Sequence, residues 1–381
     1  MKRILFVDDD SNVLTGLRNV LRPRRHEWEM VFALGPEEAL ARIAQTKFDV
    51  VVSDMRMPSM DGATLLAKIK QLQPQAVRMI LSGQTELESV MKSVFIAHMF
   101  LSKPCDPVFL QNVIERACRL NTIVNSDELR AIVGTVSMLP SAPQTYLALN
   151  EALLLPTCSV VEVARIIERD IGLCAKLLQL VNSAFFGLPR RISTLSEAVT
   201  YLGTATIKNL AMAIEAFSVG AETSGLSEPA MLALQAHSLL TGEIARQIEK
   251  PDKKLGEEAF LAGILHEVGW LVRVNEAAAA DACLTVDRAL LGAYLLGLWG
   301  LPHVIMETVA YHRAPHLLPH ATFELVDAVY IADHLAAEIE GNHAALPALD
   351  LGYLAGLGVD SVRLAEMRVL AKKAMVRASS T

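Results

Sequence analysis

The sequence predicts two domains, a doubly wound α/β domain with a five-stranded parallel sheet and then an all-α domain. Up to residue 120, short apolar runs alternate with helical periodicity, which is typical of parallel strands joined by right-handed crossovers. Beyond residue 120 almost every segment has helical periodicity, and none alternates like a strand. The chain has 381 residues, 52% of them hydrophobic, which is enough for two packed cores.

Five apolar runs are predicted to form the strands of the first domain. They lie at Ile4–Val7, Trp28–Ala33, Val50–Ser53, Arg78–Ser82 and Met99–Ser102. Five helices should alternate with them, and Pro36 is well suited to the first turn of one. The last helix is predicted to begin near Pro107 and to continue past Leu120 towards Val124.

Helical patterns fill the rest of the chain. A linker helix is predicted from Asp127 to about Met138, and Asp170 is a candidate N-cap for a later helix. Longer patterns follow at 229–249, 256–272, 285–297, 302–312 and 322–340. We therefore expect a first domain at 1–120, a helical linker at 121–138, a helical domain at 139–340 and a C-terminal helical extension at 341–381.

The net charge of −7 is unevenly distributed. Residues 1–120 hold 16 Lys and Arg against 14 Asp and Glu, a net of +2, which leaves 19 against 28, a net of −9, in the remainder. Because an acidic surface repels phosphate backbones, DNA is not expected as a partner. A nucleic-acid-binding regulator is kept as the less favoured alternative.

Cysteine usage and hydropathy indicate a cytoplasmic protein. The five cysteines show no paired spacing, which predicts free thiols in a reducing compartment. The first residues lead directly into an apolar strand, so no signal peptide is expected. The apolar stretch at 289–301 is too short to span a bilayer, and no membrane contact is expected.

Charged residues follow three of the predicted strands. Asp54 ends a buried run and precedes a turn rich in Pro and Gly, Asp8-Asp9-Asp10 follow the first strand, and Lys103 ends the fifth. The carboxyl ends of parallel strands meet at one edge of the sheet. A carboxylate nucleophile, a divalent cation and a counter-charge are what phosphoryl transfer to aspartate requires.

On these motifs, residues 1–120 resemble a response-regulator receiver domain. The resemblance implies that Asp54 is the phosphoacceptor and that a sensor histidine kinase is a partner. It also implies a Mg²⁺ site formed by Asp9 and Asp54, with Asp8 assisting and the backbone carbonyl of Arg56 as a further ligand.

The same resemblance implies roles for three more side chains. Lys103 would pair with the phosphoryl group, and the Ser82 hydroxyl would donate to its oxygens. Phe100 occupies the family's aromatic switch position, without the hydroxyl group often found there.

The helical part resembles the HDOD domain, a divergent relative of the HD phosphohydrolases, over about residues 135–340. The resemblance is carried by five segments: Leu139–Pro143, Lys176–Gly187, Ala198–Gly203, Leu261–Gly269 and Gly292–Pro302. It implies a fold of packed helices and a function in signal output.

HD enzymes bind metal through histidines and aspartates, and the resemblance places a possible vestigial site at His237, His266, Glu267, His312 and Asp333. Glu267 stands where HD enzymes have Asp, and Arg288 and Arg313 stand where two-metal relatives have His. We therefore expect no metal in this domain and side chains satisfied by hydrogen bonds at a helix junction. In the alternative interpretation the cluster still holds one metal and hydrolyses a phosphoester.

Together these features predict a two-component response regulator with a non-catalytic HDOD output domain that binds a partner protein. The alternative is a phosphorylation-gated, metal-dependent phosphohydrolase or cyclic-dinucleotide phosphodiesterase. The sequence leaves the identity of the partner, the kinase and the oligomeric state open, with a homodimer as one candidate.

Overall fold

The structure is a computed structural model. The structure describes residues 1–83, 96–123, 127–136, 139, 143–155, 158–183, 191–203, 206–207, 226–249, 252–272, 287–342 and 346–380.

The first domain is built on a five-stranded, fully parallel sheet, as predicted. The strand order is β2-β1-β3-β4-β5. The strands are β1 (Lys2–Asp8), β2 (Trp28–Leu34), β3 (Val50–Asp54), β4 (Val77–Gly83) and β5 (Met99–Lys103). The central strands are buried on both faces, and β3 is buried along its whole length. The chain order reverses beside β1 and β3, so the loops that follow these strands form a crevice at the carboxyl edge.

Four of the five predicted helices of this domain are described, while the predicted helix between β4 and β5 falls at 84–95, outside the described residues. The four are α1 (Ser11–Leu21), α2 (Pro36–Gln45), α3 (Gly62–Leu72) and α4 (Pro107–Ile123). Local chemistry fixes where they begin. The Asp10 side chain caps α1, Pro36 opens α2, and Asp61 caps α3 by accepting from the Thr64 amide at 2.7 Å.

All of the described elements beyond β5 are helical, in agreement with the predicted all-α second domain. After α4, the next helix is a linker helix, α5 (Asp127–Thr135). It is followed by α6 (Pro143–Leu154), α7 (Val160–Glu168), α8 (Ile171–Val181), α9 (Glu228–Ile248), α10 (Lys253–Leu265), α11 (Arg288–Leu298), α12 (His303–Tyr311), α13 (Leu325–Glu340), α14 (Leu351–Gly356) and α15 (Ser361–Ser380). None of these described helices is long and apolar enough to cross a membrane.

The core of the helical domain is organised around α9, which packs against α10, α13 and α15. Glycines allow α9 and α10 to approach closely, since a Cβ atom on Gly263 would lie 2.6 Å from the Cα atom of Gly242. Leu364, Met367 and Ala371 bury one face of α15. This close packing brings residues of α9, α10 and α13 within reach of one another.

Replacing Asp170 tests the energetics of a buried cap. This fully buried residue accepts from the Leu173 amide at 2.8 Å, as its predicted N-cap role requires. We expect Asp170→Ala to lower the free energy of unfolding by about 2 kcal/mol, because it removes the cap and leaves a buried amide unpaired. Urea denaturation measures this change.

Ser159→Ala is the matched control, because Ser159 caps α7 from an exposed position. Water can replace that lost bond, so the control should cost only about 0.5–1 kcal/mol. Equal losses for the two variants would show that burial does not set the strength of these caps.

Candidate functional site

Three of the predicted site residues meet at the carboxyl edge of the sheet. The Lys103 ammonium group lies 2.9 Å from Oδ2 of Asp8 and forms an ion pair with Oδ1 of Asp54. The other carboxylate oxygen of Asp54, Oδ2, accepts from the Arg56 amide at 3.0 Å. The lysine therefore bridges two strand-end carboxylates, and the Arg56 amide orients the one predicted to react.

The three consecutive aspartates occupy different environments. Asp8 is buried, and its Oδ1 accepts from the Asp10 amide at 3.0 Å. Asp9 is exposed. Asp10 turns away from this edge, because its side chain caps α1 by accepting from the Asn12 amide. Asp10 is thus used as a helix cap. Asp8 and Asp9 remain, and these are the two aspartates of the loop that are expected to bind Mg²⁺.

The electrostatics of the crevice favour a bound cation. Burial raises the pKa of Asp54, and the nearby Asp8 charge adds to this, while Lys103 opposes it. Burial alone would lower the pKa of Lys103, but its two carboxylate partners outweigh burial and raise it. One ammonium group thus faces two carboxylates, and Asp9 follows directly in the chain. These hard oxygen donors fit Mg²⁺, which takes a few carboxylates and keeps several waters.

The structure places the remaining predicted residues on β4 and β5. Ser82 is buried and directly follows Leu81, the residue that pairs with Asp54 in the sheet. Phe100 is fully buried. Gly62 was not among the predicted site residues, although a Cβ atom there would overlap the backbone carbonyl of Asp54. The glycine that follows the Asp61 cap is the signal that could have revealed this close approach.

A second cluster lies where α9, α10 and α13 meet in the helical domain. His237 on α9 is held between two carboxylates, with its Nε2 atom 3.0 Å from Oδ1 of Asp333 and its Nδ1 atom 2.8 Å from Oε2 of Glu340. Burial lowers the pKa of His237, but these two partners outweigh it and raise the pKa to about 10. His237 is therefore protonated at neutral pH.

Two further imidazoles are anchored by backbone carbonyls. The Nδ1 atom of His266 lies 2.6 Å from the carbonyl oxygen of Gly263, and that of His312 lies 2.9 Å from that of Val309. A carbonyl can only accept, so each Nδ1 carries a proton, and Nε2 is the acceptor whenever the imidazole is neutral. Backbone anchoring of this kind fixes the orientation of metal-ligating histidines in proteins.

Hydrogen bonds reach part of this cluster. The Nδ1 atoms of both rings and Oδ1 of Asp333 have partners. The Nε2 atoms of His266 and His312 and the Oδ2 atom of Asp333 are buried and have no hydrogen-bond partner among the described residues. Buried acceptors that converge without a donor are costly unless a cation, a proton or water joins them.

The donor atoms form two overlapping sets of metal-binding size. One set is His237, His266 and Asp333, and the other is His266, Glu267 and His312, with the ligand atoms of each set within 4.8 Å of one another. Burial lowers the pKa of His312 to about 4, so its imidazole is neutral. The imidazole and carboxylate donors fit a transition-metal ion.

Comparison with known families assigns both parts of the chain. Residues 4–115 match the response regulator receiver domain, and residues 139–315 match the HDOD domain. The chain contains a response regulator receiver domain and an HDOD domain. Both resemblances inferred from the motifs are confirmed.

Similar proteins cover parts of this architecture. An uncharacterized protein of Treponema pallidum is 28% identical over 56% of this chain and 45% of that protein. The transcriptional regulatory protein ZraR of Salmonella typhimurium is 30% identical over 42% of this chain and 36% of that protein. The chain therefore spans less than half the length of these relatives.

Two solved structures are similar to part of this chain. The signal receiver domain of an HD domain-containing protein from Pseudomonas fluorescens Pf-5 is 32% identical, with a TM-score of 0.30, and covers 31% of this chain and 94% of that chain. The MmoQ response regulator of Methylococcus capsulatus is 20% identical, with a TM-score of 0.47, and covers 61% of this chain and 98% of that chain.

Glu267 lies at the rim of the HDOD cluster, where Arg313 neutralises it. The two side chains form an ion pair, and Oε1 of Glu267 also lies 4.0 Å from Nε2 of His312. Arg313 is half exposed, so its charge faces solvent as well as the cluster. Arg288 instead donates to the Val272 carbonyl at 2.9 Å.

Removing Arg313 tests how much this ion pair stabilises the buried Glu267 carboxylate. We expect Arg313→Ala to lower the free energy of unfolding by about 1–3 kcal/mol, because it leaves a buried carboxylate without its partner. Chemical denaturation at neutral pH measures the loss, and Glu267→Gln in the same background should recover much of it.

Arg368→Ala is the matched control, since the Arg368–Glu338 pair is exposed on both sides and should contribute about 0–1 kcal/mol. If Arg313→Ala lowers the free energy of unfolding no more than Arg368→Ala does, the proposed stabilisation of Glu267 by Arg313 is contradicted.

Proposed function

We propose that a sensor histidine kinase phosphorylates this response regulator on Asp54, and that the phosphorylated receiver domain controls a non-catalytic HDOD output domain. The observation that carries the proposal is the bridge from Lys103 to Asp8 and Asp54 at the carboxyl edge of the sheet. It joins a buried carboxylate nucleophile to a fixed cation, and hard oxygen donors lie beside it.

In the proposed reaction, an oxygen of the Asp54 carboxylate attacks the phosphorus of a phosphohistidine. The phosphorus–nitrogen bond breaks, and the histidine of the kinase leaves with its electron pair and takes up a proton. Mg²⁺ held by Asp8, Asp9, Asp54 and the Arg56 carbonyl would neutralise charge on the transferred oxygens.

The other residues of the receiver domain act on the product. The charge of the Asp54 carboxylate is lost in the acyl phosphate, so the new phosphoryl oxygens replace it as a partner of the Lys103 ammonium group, and the Ser82 hydroxyl donates to one of these oxygens. Both residues end strands, so their movement changes β4 and β5, and Phe100 on β5 repacks. This is a population shift between two arrangements, favoured by contacts that only the phosphorylated form makes.

Output is proposed to occur through protein contacts. The net charge of −9 beyond residue 120 opposes nucleic-acid binding, which leaves a partner protein as the favoured target. The division into residues 1–120, 121–138, 139–340 and 341–381 is part of the proposal. The packing of α15 against α9 supports treating the C-terminal extension and the HDOD domain as one output unit.

Asp54→Asn tests the site assignment. With acetyl phosphate and Mg²⁺, we expect wild type to gain one phosphoryl group per chain and Asp54→Asn to gain none, because an amide is not a nucleophile of this kind. Intact-protein mass spectrometry measures the label. Asp61→Asn is the control at the same edge, because asparagine caps α3 as well as aspartate does and should leave labelling intact. Labelling that survives in Asp54→Asn would place the phosphoacceptor elsewhere.

A second candidate function is favoured by the three buried atoms of the HDOD cluster that have no hydrogen-bond partner among the described residues. In this alternative, one of the two ligand sets that share His266 holds a transition-metal ion, and the domain is a metal-dependent phosphohydrolase. A bound ion would supply Lewis-acid activation of a phosphoester or of water. His237 would have to lose its proton to become a ligand, which makes metal affinity fall as the pH is lowered.

Metal content decides between the two candidates. If the alternative holds, full-length protein purified without chelators should contain about one Mn, Fe, Zn or Ni ion per chain by elemental mass spectrometry. His266→Ala should then lose the ion, because it removes the donor shared by both sets. His303→Ala, which changes an exposed histidine, should keep it. Wild-type protein that stays metal-free after incubation with each ion would exclude the second candidate.

A further inference from the structure

Arg78, near the start of β4, carries a fully buried cation at the junction of the two domains. Its guanidinium group donates to the carbonyl oxygens of Ile96 at 3.0 Å, Ala76 at 3.1 Å and Gly134 at 2.6 Å. The first two belong to the receiver domain, and Gly134 belongs to the linker helix α5. Arg78 therefore ties the linker directly to the central sheet.

The end of the linker helix is shaped for this contact. Gly134 is the second-last residue of α5, where backbone carbonyls lack helical partners and carry the negative end of the helix dipole. A cation there is favourable. A Cβ atom on Gly134 would overlap the carbonyl of Pro74, so the helix reaches Arg78 only because this residue is glycine.

A second contact joins the HDOD domain to the start of β5. The buried side chain of Gln179 on α8 donates to the carbonyl oxygens of Ala97 at 3.3 Å and His98 at 3.2 Å. The Nδ1 atom of His98 in turn accepts from the Arg78 amide at 3.1 Å. The hydrogen bonds of Arg78 and Gln179 thus lie at the amino-terminal ends of two neighbouring strands, β4 and β5.

Electrostatics oppose this docked arrangement. Burial lowers the pKa of Arg78 to about 9 and that of Lys70, beside it on α3, to about 8. Lys176 on α8 is buried near the same point, and burial lowers its pKa as well. Like charges brought together and desolvated weaken the docking that the hydrogen bonds and apolar packing provide. Because this electrostatic cost reduces the stability of the docked state, a small change in free energy can release the linker helix and α8 from the receiver.

The same two strands connect these contacts to the phosphorylation site. β4 and β5 carry Ser82 and Lys103 at their carboxyl ends and begin beside Arg78 and His98. Between the two ends, Phe100 lines a small cavity whose opposite wall includes Trp299 of the HDOD domain. Movement of Lys103 and repacking of Phe100 therefore act on strands whose other ends hold the linker and α8.

We propose that Arg78, Gly134 and Gln179 form a latch that docks the linker helix and the HDOD domain on the receiver, and that phosphorylation of Asp54 releases it. The release step rests on the proposed function. In the docked state, Gln179 of α8 contacts the receiver, and Gln179 and Trp299 line a small cavity together with Phe100. Release uncovers Gln179 and Trp299 for the partner.

Hydrogen exchange of the linker helix, followed by mass spectrometry on the full-length chain, tests the latch. An isolated nine-residue helix is marginal in water, so α5 should lose protection when it undocks. With acetyl phosphate and Mg²⁺, we expect amides in residues 127–136 to exchange at least tenfold faster. Gly134→Ala should show the same increase without acetyl phosphate, and Gln179→Ala an increase in the same direction.

The glycine variant separates undocking from helix weakening. Alanine strengthens a free helix relative to glycine, so faster exchange in Gly134→Ala can come only from lost docking. Gly16→Ala is the control, because Gly16 on α1 has open space around it and should leave residues 127–136 unchanged.

The label on Asp54, measured on the same samples, distinguishes the two possible failures. Slow exchange at 127–136 in a fully labelled chain, or in Gly134→Ala, would overturn the latch and leave the proposed function standing. A chain that takes no label on Asp54 would overturn the proposed function and the release step with it.

Discussion

The junction of the two domains depends on a buried cation that has carbonyl groups rather than a carboxylate as partners. Arg78 is solvated by backbone dipoles from the loop before β4, the segment before β5 and the linker helix. Carbonyl groups do not cancel its charge, so the buried cation depends on these hydrogen bonds and on the adjacent His98 ring for its solvation. The contact with Gly134 thereby ties the linker helix to the receiver.

The two polar clusters of the chain differ in how their charges are balanced. At the edge of the receiver sheet, Lys103 supplies a positive charge to two carboxylates, and the remaining negative charge suits a weakly held dication. In the HDOD domain, protonated His237 donates to Asp333, while Nε2 of His266, Nε2 of His312 and Oδ2 of Asp333 are buried without a hydrogen-bond partner among the described residues. Buried polar atoms of this kind commonly bind ordered water.

The sequence predicted the receiver domain well because its signals are local. The strand runs and the strand-end charges each depend on a few neighbouring residues, and parallel strands bring those ends together by geometry. Periodicity and caps such as Asp170 likewise indicated helices of the HDOD domain, although the helix predicted at 256–272 ends at Leu265.

The contacts between distant segments could not be predicted in this way. Arg78 looks like one charged residue inside an apolar run, and only the fold brings Gly134 to it, 56 positions along the chain. The state of the HDOD cluster was also hidden, because it depends on the carbonyls of Gly263 and Val309 that set which ring nitrogen is free. Residue type identifies a potential ligand, but its unpaired atoms depend on three-dimensional surroundings.

The missing side chain at Gly134 has a consequence for protein engineering. A chimera joined near residue 121 would give the linker helix to a new receiver that has neither the Arg78 guanidinium group nor the Pro74 carbonyl against which Gly134 fits. The transferable module therefore includes the surface of the receiver on which the helix lies. A fusion without this surface would leave the end of the linker helix without its contacts.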